Sequence, residues 1–243
     1  MTELLDQTFV FMAVAIIVAG LVRGFTGFGS AMVMAPVLVY FLGPAQAVAT
    51  NIMLEFLVSL QLVPAARKHL DIRLLAPLGI GAFAGAPFGV WLAVVVDPEI
   101  MRRAVSIIIL SFVIILAWGW RYKGAGKAWI STLIGCTGGI LSGSTSMGGP
   151  PVIIYLMSGP NKPERVRSTI ILYFVLSIIP TLGGLVWAGI IDKDLLLRVA
   201  LLAPLFLASA WFGSRFFHIA PESFFRRLTL GLLAIIASSS FFV

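Results

Sequence analysis

The chain has 243 residues, 60% of them hydrophobic and 11% charged, with a mean hydropathy of +1.06. Soluble domains are about 45–50% apolar and about 25% charged, so a soluble globular enzyme is excluded and a polytopic membrane protein is implied. The formal net charge of +7 comes from bases in short loops beside apolar runs; these read as orientation signals and contacts to anionic lipid, and nucleic acid is not an expected partner.

The first residues, "MTELLDQ", carry Glu3 and Asp6 and no base, unlike a cleaved signal peptide. Apolar elements then follow at 8–42, 45–64, 72–95, 99–119, 128–158, 164–188, 195–217 and 222–242. They are unbroken runs, as in "RRAVSIIILSFVIILAWGW" (102–120), without the alternation of barrel strands. An all-α membrane fold follows, because each helix pairs its own backbone groups in hydrocarbon. The single cysteine, Cys136, lies inside an apolar run and reads as a packed thiol.

The first and fifth elements exceed thirty residues, and each is interrupted by small polar residues. The first breaks at "RGFTGFGS" and the fifth at "SGSTSMGG". Gly20, Gly24, Thr26 and Gly29 match Gly139, Gly143, Thr145 and Gly148 at an offset of 119 residues. At the same offset "AVAT" (47–50) meets "VRST" (166–169), and "DPEIMRRAVSIIIL" (97–110) echoes "APESFFRRLTLGLL" (220–233) with a one-residue gap. The chain therefore divides into two transmembrane repeats, 1–123 and 124–243, as in duplicated transporters.

Loop charge decides how the halves are oriented. If the broken elements cross the membrane, the bases divide evenly between the two faces. If each is a re-entrant hairpin, only Arg102, Arg103, Lys193 and Arg198 oppose the rest, from Arg67 and Lys68 to Arg226 and Arg227. A biased distribution is the expected one. Arms of about fourteen residues would reach about 21 Å, short of the roughly 30 Å core. Inverted halves are thus favoured, each a hairpin plus three transmembrane helices, with both termini outside.

In that arrangement the two glycine-rich tips meet near the midplane. Helix N-termini there favour an anion, and glycine permits close backbone approach. The expected substrate-binding residues are Arg23, Gly24, Thr26, Gly27, Gly29, Ser30, Asn51, Gly143, Ser144, Thr145, Ser146, Gly148 and Gly149. Arg23 supplies a planar donor fork and the hydroxyls supply further donors. The set suits a small oxyanion. Glycine clusters also serve helix packing alone, the role expected for Gly81, Gly85 and Gly89. Asn51 and Glu55 share one helix face, and a carboxylate at membrane depth is a functional candidate. Glu55 is expected to pair with Arg23 or to carry a coupling proton; its matched position is Phe174. Pro180 is expected to kink the sixth element.

The doubled motif, "GLVRGFTGFGSAMVMAP" and "GILSGSTSMGGPPV", resembles the TauE/SafE sulfite exporters, also described as the 4-toluene sulfonate uptake permease family. The resemblance covers nearly the whole chain; Ser30, Ser146 and Pro150 depart from the family's glycine pattern. It implies secondary transport of sulfite, sulfonates or related organosulfur or carboxylate anions across the cell inner membrane. Export of a monoanion could draw on an inside-negative potential; import would need a coupled proton or Na⁺. A homo-oligomer is compatible with this reading. The alternatives are a passive anion channel and a non-transporting membrane partner subunit. An enzyme is set aside, because His69 and His218 stand far apart and no CxxC or HExxH occurs. No cofactor or metal is expected.

Overall fold

The computed structural model describes residues 7–101, 103, 104, 107, 108, 111, 114, 127–158 and 163–216. Most of the expected element at 99–119, all of 222–242 and the 220–233 echo lie outside that set. The main elements of the described residues are α1 (Gln7–Thr26), α2 (Ser30–Leu42), α3 (Pro44–Ala66), α4 (Ile72–Val95), α5 (Ala128–Thr145), α6 (Gly149–Ser158), α7 (Pro163–Trp187) and α8 (Lys193–Phe216), and no strand occurs among them. α1, α3, α4, α7 and α8 are long and apolar enough to cross a membrane.

Local chemistry sets the helix starts. Pro44 opens α3 directly after Gly43, where the missing proline N–H costs nothing. Asp71 caps α4 by accepting from the Arg73 and Leu74 amides at 3.1 and 3.4 Å. Asp192 Oδ1 does the same for the Leu195 amide at 2.7 Å. α7 runs through Pro180 without interruption.

Each of the two long broken elements folds back on itself. Phe11 near the start of α1 stacks on Phe41 near the end of α2, centroids 6.3 Å apart. Ser131 Oγ near the start of α5 lies 2.7 Å from the Tyr155 hydroxyl on α6. A continuous helix would hold either pair tens of ångströms apart, at about 1.5 Å per residue. The arms therefore lie side by side, antiparallel.

The first arms are longer than the sequence suggests. α1 has 20 residues and α5 has 18, about 30 and 27 Å, so arm length gives no support to re-entry. The reason lies in the motif glycines. A Cβ on Gly20 would fall 2.9 Å from the Phe206 carbonyl oxygen, and one on Gly24 1.9 Å from that of Ala210. They are helix-packing residues, so α1 continues through them onto α8. Gly139 and Gly143 similarly meet Ala82 and Ala86 of α4. Gly81, Gly85 and Gly89 present backbone to the carbonyls of Thr132, Cys136 and Ile140 on α5, the small-residue contact that lets membrane helices approach closely.

α3 packs on α7 and α8, and α4 on α7. Gln46, at the start of α3, donates to the Ile190 carbonyl just past α7 at 3.3 Å. Asp71, just past α3, is ion-paired at 3.2 Å with Arg165 at the start of α7. α3 and α7 are thus antiparallel neighbours. Apolar side chains such as Phe83, Trp91 and Leu133 face outward, while Arg23, Asn51, Glu55 and Ser59 are buried. That polarity suits lipid outside and chemistry inside.

Candidate functional site

The first break spans Gly27–Gly29. Gly27 and Gly29 have φ of +80° and +87°, values that a side chain disfavours. The second break spans Ser146–Gly148. Ser146 takes φ 60°, and the Met147 amide reaches back to the Leu141 carbonyl at 3.2 Å, the six-to-one bond of a helix stop.

A polar stripe on α3 joins the two breaks. Asn51, Glu55 and Ser59 recur every four residues and so share one face. The Asn51 amide donates to Ser146 Oγ in the second break. Ser30, the first residue of α2, donates to Glu55 Oε1. Ser59 Oγ accepts from Arg23 at 3.0 Å. Glu55 stands at the midpoint of Pro44–Ala66, about 16 Å from either end.

Arg23 is fully buried. Its guanidinium lies 3.1 Å from Glu55 Oε2 and donates to the Gly27 carbonyl at 2.6 Å. The Phe174 ring covers it, 4.4 Å from centroid to guanidinium carbon, within cation–π range. The same ring lies against Gly149, whose Cβ would come within 2.8 Å of it. One aromatic ring thus separates Arg23 at the first break from the start of α6 at the second. Arg23 Nε, Thr50 Oγ1 and Asn51 Oδ1 are buried without an aligned hydrogen-bond partner among the described residues. Such orphans each cost about 1–3 kcal/mol, and a cluster of them calls for a functional account.

Of the other expected residues, Gly29 stays in the first turn, and the rest fall into three groups. Gly24 and Gly143 face neighbouring helix backbones, and Gly148 packs on the Gly138 carbonyl. Ser144 and Thr145 donate to their own helix carbonyls, Ile140 and Leu141, each at 2.8 Å. Thr26 closes α1. The residues actually brought together are Arg23, Gly27, Ser30, Asn51, Glu55, Ser146 and Gly149. Sequence reasoning missed Ser59, Phe174 and Arg167. Ser59 continues the four-residue spacing of Asn51 and Glu55 and was detectable on that ground. Arg167 reads as a loop base in sequence; in the structure it is partly buried and donates to the Gly24 carbonyl at 3.2 Å. Phe174 carries no polar signal.

Helices long enough to span a bilayer, closed around a buried ion pair and two helix breaks, define a polytopic membrane protein with an internal polar site. The description "Sulfite exporter TauE/SafE" matches residues 12–240, and the chain belongs to that family. It is 29% identical over 227 residues to a "Probable sulfite/organosulfonate exporter TauE" of Cupriavidus necator, an alignment covering 88% of this chain and 86% of that protein. No solved structure matches the chain significantly.

Proposed function

We propose that the chain is a secondary transporter of sulfite or small organosulfonates in the cell inner membrane, binding the anion between the two helix breaks. The observation that carries this reading is Arg23: a fully buried guanidinium, held at one break and one ring away from the other. Family membership and the relative's printed activity support it.

The arrangement of the helices supports two inverted halves, each led by a re-entrant hairpin. The open end of the first hairpin lies at the start of α3, and that of the second at the start of α7. Because α3 and α7 run antiparallel, the hairpins enter from opposite ends of the bundle. The α1–α8 contact has its counterpart in α5–α4, and the α3–α8 contact in α7–α4, as two matched halves require. The repeats at 1–123 and 124–243 account for that pattern. Transport then consists of exposing the central site to one face and then the other.

The test is flux of labelled sulfite and alkylsulfonates in proteoliposomes. Arg23→Met removes charge-assisted bonds worth about 1.5–3 kcal/mol, so flux should fall by roughly tenfold or more. Undiminished flux would remove Arg23 from the site. Saturation and counterflow are expected of a carrier, and their lack would mark a passive channel.

A further inference from the structure

The Arg23–Glu55 pair sets a condition on any anion that binds there. In the structure the carboxylate already occupies the guanidinium. A second negative charge on the same cation, in a water-poor interior, leaves one charge uncompensated, at a cost of several kcal/mol. Resting on the reading of this site as the anion site, we propose that Glu55 is its proton carrier: the anion takes Arg23 as Glu55 Oε2 takes a proton.

The orphaned atoms divide as this exchange requires. Arg23 Nε is a spare buried donor, and donors suit an oxyanion. Asn51 Oδ1 is a spare buried acceptor, one helical turn from Glu55 on the same face of α3, where i and i+4 Cβ atoms stand about 5–6 Å apart. It is available to a protonated carboxyl. Ser30 already donates to Glu55 Oε1, which keeps Oε2 as the oxygen that exchanges. Oε2 gains a proton, the Oε2–Arg23 contact is released, and the guanidinium transfers to the anion. The net charge of the site is unchanged.

The charged groups around Glu55 agree with this direction. From α1 it faces Arg23, from α2 Ser30. Its own helix offers Asn51 and Ser59; from α7 comes Phe174 over Arg23, while the Arg167 guanidinium is engaged at the Gly24 carbonyl. Among these groups Glu55 is the one carboxylate, so a proton taken up with the anion goes to it. One proton per monoanion makes the cycle electroneutral, so the membrane potential does no net work on it, and its direction is set by the anion's own gradient together with the pH gradient.

Methanesulfonate is the probe, because it stays ionised at every pH used. Its affinity for purified wild-type protein should rise about tenfold for each unit of falling pH between roughly pH 8 and 6, the slope for one linked proton. Calorimetry in two buffers of different ionisation heat should show uptake of about one proton per anion, a measurement that needs no variant. Glu55→Gln keeps the shape and the Ser30 contact but cannot titrate; it should bind methanesulfonate with no pH dependence and no proton uptake. Wild-type binding without proton uptake, or a Gln variant that keeps the wild-type slope, overturns the role of Glu55 and leaves anion transport standing. No methanesulfonate binding at any pH overturns both.

Discussion

The Arg23–Glu55 pair can be dissected by a double-mutant cycle. Arg23→Met leaves a buried carboxylate with Ser30 as its remaining partner, and frees the Ser59 hydroxyl and Gly27 carbonyl of their donor. Glu55→Leu leaves a buried guanidinium on Ser59, Gly27 and the Phe174 ring. Each single change strands a charge, a cost of about 3–5 kcal/mol. The double variant strands none. It loses a cation–π contact of about 0.5–2 kcal/mol and bonds of about 1 kcal/mol to neutral groups, while two apolar side chains recover part of that by packing. It should therefore lie within about 2 kcal/mol of wild type, with a favourable coupling of several kcal/mol between the two substitutions. Unfolding in mixed micelles reads the stabilities, and sulfonate flux reads function. The double variant should fold well and transport nothing. If the single costs simply add, the pair is not an isolated buried charge couple and the account of the site is wrong. If the double variant transports, the pair is a structural tie alone.

Two further perturbations test the frame. Gly85→Val would place a Cβ 2.2 Å from the Cys136 carbonyl oxygen, so α4 and α5 must separate; folded yield should collapse, whereas Gly183→Ala, with nothing within 4 Å, should leave it unchanged. Single cysteines at Ala45 and Asp194 in a Cys136→Ala background should react with impermeant reagent from one face, and one at Lys68 from the other. Ala45 and Asp194 labelling from opposite faces would replace the hairpins with crossing elements.

Much of the helical scaffold is legible in the sequence. α3 and α4, expected at 45–64 and 72–95, run over Pro44–Ala66 and Ile72–Val95, because charge and Pro/Gly clusters punctuate long apolar runs. The extent of the interruptions was less legible. Glycine serves both a left-handed turn and a close helix contact, and sequence alone does not separate the two uses. Gly20 and Gly24 belong to the contact, Gly27 and Gly29 to the turn. The hydroxyls of Ser144 and Thr145 were ambiguous for a related reason: in a helix such groups can bond the carbonyl one turn back, and here they do.

Arg167 shows a further limit. Its position near the start of a helix is what a snorkelling loop base would also occupy, and only the return of α1 toward the start of α7 brings Gly24 to it. Phe174 is more instructive. At the offset of 119 residues it aligns with Glu55, and both side chains meet the same guanidinium. One supplies a charge and the other a π face. Arg23 itself matches Ser142, and Asn51 matches Ile170. The buried ion pair thus draws both of its charges from α1 and α3, while α7 contributes an aromatic ring to the same guanidinium.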